Sequence, residues 1–283
     1  MRLPWLRLLI INCQFKNIRI FALNSKSMDK LTVIKVGGKV VEEPDSLDKL
    51  LKDFSVIAGA KILVHGGGRS ATKLAERLGV ESKMVNGRRI TDEETLKIVT
   101  MVYGGLVNKN IVARLQMLGM DALGLTGADM NTILSVKRPV KDIDYGYVGD
   151  VKEVDGRLLT ELIHQCVVPV MAPITHDGKG NLLNTNADTI AAEVAKAMSY
   201  HFDVHLIYCF EKKGVLMDEN DDESLIPLLT PDLFKQYVDE GVIQGGMIPK
   251  LENAFDAIRA GVKDVLITRA SEIHLGKGTT ARI

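Results

Sequence analysis

From Leu31 onward the chain alternates short apolar runs, rich in valine and isoleucine, with stretches in which apolar residues recur every three or four positions. That rhythm predicts an α/β protein whose runs are buried strands of a mainly parallel sheet and whose longer stretches are helices with one buried face. The predicted strands are Leu31–Val36, Lys61–His65, Met120–Leu125, Val167–Ala172, His205–Phe210 and Asp264–Thr268. Between them, Leu47, Leu50, Leu51 and Phe54 follow i, i+3, i+4, i+7 spacing; Leu96, Val99 and Tyr103, and then Leu251, Ala254, Phe255 and Ile258, carry the same helical signature. Thr91 and Glu94 have the spacing of a capping box, and Gly79 and Gly119 stand where helix C-termini are expected. The stretch from Ile133 to Arg157 breaks the rhythm. Rich in Val, Tyr and Asp, with an Asp155-Gly156 turn signal, it reads as antiparallel hairpins inserted at the sheet edge, where such insertions often cover a substrate.

A chain of 283 residues is long enough for one large or two modest globular units, with no linker or repeat to divide it. The 36 Lys+Arg balance 36 Asp+Glu, so there is no basic excess of the kind that nucleic-acid binders carry. The 3 cysteines, Cys13, Cys166 and Cys209, are far apart and form no CxxC pair, which argues against a disulfide framework or a zinc site and fits a reducing cytoplasm. Residues 1–27 differ from the rest: Leu8 to Ile11 form a short apolar core flanked by Arg2, Arg7, Lys16 and Arg19. This core falls far below the roughly 20 residues that span a bilayer, and no A-x-A pattern follows it. The segment is expected to be a disordered or non-native extension, with the functional protein beginning at Met28.

Two successive strands end in glycine clusters, Lys35-Val36-Gly37-Gly38 and His65-Gly66-Gly67-Gly68. Such clusters serve tight strand-to-helix turns, and they also let the backbone present N–H groups to an anion; two in succession favour the second use. Neither has the spacing of GxxxxGK[ST] or GxGxxG. Lys35, inside a buried strand, needs a negative partner. Gly245-Gly246-Met247-Ile248-Pro249-Lys250 offers another glycine pair leading into a helix, with Pro249 suited to the first helical position. A cation in that first turn opposes the helix dipole unless an anion lies between them, so Lys250 points to phosphate.

Asn184-Thr185-Asn186-Ala187-Asp188 precedes an Ala-rich helix predicted over Thr189–Met198. Asp188 suits an N-cap, and equally suits charge-assisted bonds to ammonium groups, with the asparagines holding a polar substrate. Arg89, on a loop beside Arg88, has the fork geometry for a carboxylate, although a solvated arginine there would be unremarkable. The 6 histidines form no HExxH and no serine sits in GxSxG, so metalloprotease and serine-hydrolase chemistry have no anchor.

Taken in order, Lys35-Val36-Gly37-Gly38, His65-Gly66-Gly67-Gly68, Asn86-Gly87-Arg88-Arg89-Ile90-Thr91, Gly124-Leu125-Thr126-Gly127-Ala128-Asp129, Asn184-Thr185-Asn186-Ala187-Asp188, Gly245 to Lys250 and Gly278-Thr279 resemble the amino-acid kinase family, in its acylglutamate-phosphorylating branch. The resemblance runs from Leu31 to the C-terminus. It implies an open αβα sandwich with an acyl-amino-acid lobe over about 28–188 and a nucleotide lobe over about 189–283. The implied reaction is phosphorylation of the side-chain carboxylate of N-acetyl-L-glutamate from MgATP, the second step of the acetylated route to arginine. By this resemblance Lys35 and Lys250 neutralise the transferring phosphoryl group while Asp188 orients both. Gly67, Gly68, Arg89, Asn184 and Asn186 hold the acyl amino acid, and Gly37, Gly38, Gly66, Glu211, Gly214, Gly245 and Gly246 meet nucleotide or phosphate. Mg²⁺ is expected to be held by phosphate oxygens and water, with no protein metal cage. The turn Phe210-Glu211-Lys212-Lys213-Gly214 departs from the family's small acidic turn, and the ending Glu272 to Thr279 only partly matches arginine-inhibited members, so a homodimer is expected in place of an arginine-regulated hexamer. Alternatives are the same reaction on N-succinyl-L-glutamate, the choice being set by the Ile133–Arg157 insertion, and a non-catalytic nucleotide or arginine sensor. A nicotinamide oxidoreductase has only the α/β rhythm and the glycines in its favour.

Overall fold

Every one of the predicted apolar runs becomes a strand of one large sheet. The computed structural model describes residues 28–85, 87–218 and 220–283; the extension 1–27 and Asn86 of the arginine loop lie outside the described residues. In chain order, β1 (Lys30–Val36) is followed by α1 (Gly38–Glu42), α2 (Pro44–Val56), β2 (Ala60–His65) and α3 (Gly68–Arg77). The small hairpin β3 (Met84–Val85) and β4 (Arg88–Arg89) precedes α4 (Glu93–Val99), which passes through π-helical turns at Thr100–Val107 into α5 (Asn108–Met117). Next come β5 (Ala122–Leu125), β6 (Ile133–Lys137), β7 (Gly149–Val154), α6 (Gly156–His164), β8 (Val168–Met171), β9 (Ile174–His176), β10 (Leu182–Asn184) and α7 (Ala187–Met198). The remainder holds β11 (Asp203–Phe210), β12 (Leu228–Leu229), α8 (Pro231–Asp239), α9 (Met247–Arg259), β13 (Asp264–Arg269) and β14 (Thr279–Ala281).

The eight-stranded sheet has the order β12-β14-β13-β11-β1-β2-β8-β5, parallel from β13 through to β5, with β14 antiparallel to β13 and the edge strand β12 parallel to β14. Successive strand residues face opposite sides. Leu31 and Val33 of β1 therefore join the core under α7 and α9 with Ile190, Leu251 and Phe255, while Ile34 and Val36 join the core under α2 and α5 with Leu50, Phe54 and Ile111. Helices thus cover both faces, the αβα arrangement expected from near-continuous apolar strands. The predicted helix faces at Leu47, Leu50, Leu51 and Phe54 and at Leu251, Ala254 and Phe255 are buried. Gly79 and Gly119 follow α3 and α5 with φ of 73° and 76°, as helix-ending glycines do.

Three local expectations need correction. The Ile133–Arg157 insertion does form an antiparallel pair, β6 with β7, but it joins β9 and β10 in a separate four-stranded sheet and does not pair with the large sheet's edge strand. Asp155-Gly156 is no hairpin turn: the Asp155 carboxylate caps α6, accepting from Arg157 N and Leu158 N, a task to which Asp is equally suited. The cap of α4 falls one residue later than the Thr91–Glu94 spacing suggests. Asp92 accepts from Thr95 N at 2.8 Å, and Thr91 is drawn to the Arg89 carbonyl instead.

Candidate active site

Strand parity decides where Lys35 points. On β1 it shares a face with Leu31 and Val33, so it emerges among α7, α9 and the end of β11. There its Nζ lies 2.6 Å from Asp188 Oδ1, with both side chains almost wholly buried. Phe210, two residues beyond Tyr208 on β11, lies beneath two cations: Lys35 Nζ is 5.2 Å from the ring centroid and Lys250 Nζ is 4.2 Å from it, both within cation–π range. Burial pulls the Lys250 ammonium below its usual value, Asp188 draws it back up, and Lys35 pushes it down again. Two ammonium groups with one carboxylate leave a net positive locus.

The helix that carries Asp188 begins earlier than the sequence suggests. Asn186 is the N-cap of α7, accepting from Asp188 N at 2.8 Å and Thr189 N at 3.1 Å, so Asp188 sits in the first turn with its side chain free to reach Lys35. Its backbone carbonyl accepts a 3.2 Å bond from the buried Tyr208 hydroxyl. Pro249 likewise falls at the third position of α9, because Gly246 is the N-cap. Lys250 follows in the same first turn, where a cation opposes the helix dipole.

The two glycine turns abut because β1 and β2 are parallel neighbours. A Cβ on Gly66 would lie 3.2 Å from Gly38 N, and one on Gly38 would lie 3.6 Å from Gly68 N. Behind the second turn the His65 ring is fully buried: Nδ1 bonds to Gly66 O at 2.8 Å, and Nε2 lies 3.1 Å from Nδ2 of Asn108, which also donates to Val170 O. The carbonyl can only accept, so Nδ1 carries the proton and Nε2 accepts. Burial lowers the His65 pKa to about 4, with the Gly66 bond opposing it and Lys109 adding to it. Tyr103, from the π-helical turns, packs on the same loop, so that a Cβ on Gly67 would meet its Cδ1 at 2.8 Å.

Beside these turns lies a cavity of about 170 Å³, lined among others by Gly66–Gly68, Arg89, Tyr103, Asn184 and Asn186. Arg89 is 7 % exposed and pairs with no carboxylate among the described residues. Nη1 donates to Ser82 Oγ at 2.7 Å, and Nη2 to Gly68 O at 2.8 Å and Thr72 Oγ1 at 2.9 Å. Asn184 Nδ2 donates to Thr91 Oγ1 at 3.0 Å, and that hydroxyl donates to the Arg89 carbonyl at 3.0 Å. The structure thus gathers Lys35, Asp188, Lys250, both glycine turns, Arg89, Asn184 and Asn186 at one end of the sheet.

Other expected residues have contacts of their own. Glu211 forms ion pairs with Lys39 at 3.1 Å and Arg69 at 3.4 Å, tying α1 to α3. Gly214 is needed for packing, since a Cβ there would meet Leu225 Cδ1 and Thr279 Oγ1 at 2.6 Å. Around Gly245 and Gly246 a Cβ would meet open space. Among the described residues no three His, Cys, Asp or Glu side chains converge as a metal site, and no helix is long and apolar enough to cross a membrane. Sequence reading missed the supporting roles of His65, Asn108, Tyr103 and Phe210. The one available signal was parity, which puts Phe210 on the face of Lys35.

Residues 30–269 match the model of the amino acid kinase family. An acetylglutamate kinase of Parabacteroides distasonis is 71% identical over 252 residues, 89% of this chain and 99% of that protein; one of Bacteroides thetaiotaomicron is 72% identical over 251 residues, 89% and 98%. Among solved structures, smu.665 from Streptococcus mutans superposes with a TM-score of 0.74 at 30% identity, covering 89% of this chain and 98% of its own.

Proposed function

The chain belongs to the amino acid kinase family, and from that premise we propose that it is an N-acetyl-L-glutamate kinase. It transfers the γ-phosphoryl group of ATP to the substrate's side-chain carboxylate, giving the acyl phosphate and ADP in the second step of arginine biosynthesis. The observation that carries this reading is the pair of ammonium groups, Lys35 and Lys250, held over one aromatic ring with only Asp188 between them. An ionised carboxylate attacks without a general base, so the protein's task is alignment and charge stabilisation. Lys35 and Lys250 offset the charge spreading over the transferring phosphoryl oxygens, and Asp188 fixes Lys35 in place. Backbone N–H groups of Gly37, Gly38 and Gly66–Gly68 line the path of the phosphoryl group, and Gly245 and Gly246 open the helix that carries Lys250. Arg89 and Asn184, with Asn186 close by, hold the α-carboxylate and amide.

Mg²⁺ fits as an ion held by phosphate oxygens and water, neutralising charge on the nucleotide, because the described residues present no carboxylate cage. The lobe up to about residue 188 takes the acyl amino acid and the rest takes the nucleotide, with Glu211 and Gly214 at its border. The enzyme works as a cytoplasmic homodimer. The test is ADP release by the full chain with MgATP and N-acetyl-L-glutamate, against glutamate and aspartate. Turnover confined to the acylated substrate supports the reading; no ADP with any N-acylglutamate sinks it.

A further inference from the structure

Thr91 is fully buried where three segments meet: the arginine loop, the stretch that returns from the β6–β7 loop, and the end of β10. All of its polar groups are engaged. Its N donates to Tyr145 O at 2.9 Å, and its O accepts from Tyr147 N at 2.7 Å. Asn184 N in turn donates to Tyr147 O at 2.9 Å, so backbone bonds already hold the three segments together. They approach so closely that a Cβ on Gly146, whose φ is 70°, would overlap Thr91 O. The threonine hydroxyl is not used for the helix that follows, because Asp92 caps α4. It joins instead the two residues assigned to the acyl amino acid: Oγ1 lies 3.0 Å from Arg89 O and 3.0 Å from Asn184 Nδ2. A carbonyl oxygen only accepts, so the single hydroxyl proton goes to Arg89 O, and Oγ1 is left able only to accept from Asn184. The Asn184 atom facing it is therefore Nδ2. Among the described residues, Asn184 Oδ1 and the second Nδ2 hydrogen have no partner.

We infer that Thr91 is a positioning residue for the acyl amino acid, its hydroxyl holding the Asn184 amide in one of its two senses, at a fixed place relative to Arg89, before substrate arrives. The inference rests on the proposed acylglutamate kinase reading and adds to it a residue that is not itself part of the cavity wall. An asparagine amide turns about a broad, roughly two-fold torsion, so packing alone separates its two senses poorly. With the hydroxyl in place, Oδ1 and the remaining N–H keep one arrangement, an acceptor and a donor in the cavity that Asn184 shares with Arg89. Such a pair suits an acylated α-nitrogen next to a carboxylate. Without the hydroxyl the amide is free to turn, and its ordering has to come out of the binding free energy.

The test compares the full chain with Thr91→Val, which keeps the side chain's shape and removes the hydroxyl, and Thr91→Ser, which keeps the hydroxyl. ADP release is measured over concentration series of N-acetyl-L-glutamate and of MgATP, and binding of N-acetyl-L-glutamate is titrated calorimetrically in the presence of MgADP. Thr91→Val should raise KM for N-acetyl-L-glutamate and weaken its binding by about 10-fold, the range of one buried hydrogen-bonded link, while KM for MgATP stays within about 2-fold. Thr91→Ser should stay within about 3-fold of the parent on every measure. Should the valine variant fold poorly, Thr91→Ala removes the hydroxyl without adding bulk and carries the same expectation. An unchanged KM for N-acetyl-L-glutamate, an equal rise in both KM values, or a serine variant as impaired as the valine one overturns the inference and leaves the kinase reading intact. Binding without turnover in the parent overturns the kinase reading, and the titrations then decide the role of Thr91. Neither binding nor turnover in the parent overturns both.

Discussion

Protonation of His65 should set how the protein's stability falls below neutral pH. The ring is fully buried, bonded to Gly66 O and Asn108 Nδ2, and its pKa drops from 6.5 to about 4. With the folded value depressed, the unfolded chain binds the proton first as pH falls. Stability is therefore full above pH 6.5, declines from there, and stops declining below about pH 4. Across that window the linkage amounts to about 3 kcal/mol, of which about 2 kcal/mol is already lost at pH 5. Asp92 and Asp264, whose carboxyls are held below the usual range, add acid sensitivity of their own, so the informative quantity is a difference. Urea unfolding midpoints between pH 7.5 and 5 should fall more steeply for the parent protein than for His65→Gln, which cannot take up the proton. Parallel slopes for the two proteins would refute a neutral imidazole sealed behind the glycine loop.

Other expectations concern the site directly. Lys250→Ala should lower kcat by about 10²–10³-fold and leave KM for the acyl amino acid nearly unchanged, because its charge is needed most as the phosphoryl group moves; an unchanged kcat in steady-state assays would remove that role. Arg89→Ala should do the reverse, raising KM by about 10- to 100-fold and also costing about 1–3 kcal/mol of stability through the lost bonds to Gly68 O, Thr72 and Ser82, measured by substrate titration and denaturant melts. Gly67→Ala should destabilise the protein by about 1–3 kcal/mol and raise KM, since the new methyl must displace Tyr103; a calorimetric melt unchanged from the parent would show that the ring yields freely.

Much of this molecule was legible before any coordinates. Five of the six parallel strands stood out because they are largely buried on both faces and read as mostly apolar runs; β5, at the sheet edge with Leu123 exposed, carries a weaker signal. The three-residue strands β9 and β10 carry too few positions to show a period, so the small sheet that holds the hairpin stayed invisible. Helix starts slipped by one or two residues wherever neighbouring residues compete for the same cap, as Asn186 does with Asp188 and Asp92 with Thr91. In the site, the lysines, glycines and Arg89 were readable as residue types that need an anion. Their supports were not: His65 meets Asn108 across 43 positions of chain, and Tyr103 reaches Gly67 only through π-helical turns that no spacing announces.

The parity that aims Lys35 also sorts the tolerable length changes from the ruinous ones. Adding a single residue within Lys30–Val36 would turn the ammonium towards α2 and Phe54, into an apolar layer, and every partner in register on β2 and β11 would be offset with it. The tip of the loop between β6 and β7, residues 139–143, has no such constraint because it pairs with no strand, whereas beyond it Thr91 N donates to Tyr145 O and Tyr147 N donates to Thr91 O. Variation in length among kinsmen of this protein should therefore collect at that tip, while the spacing from Lys30 to Gly38 stays invariant in length even where its side chains change.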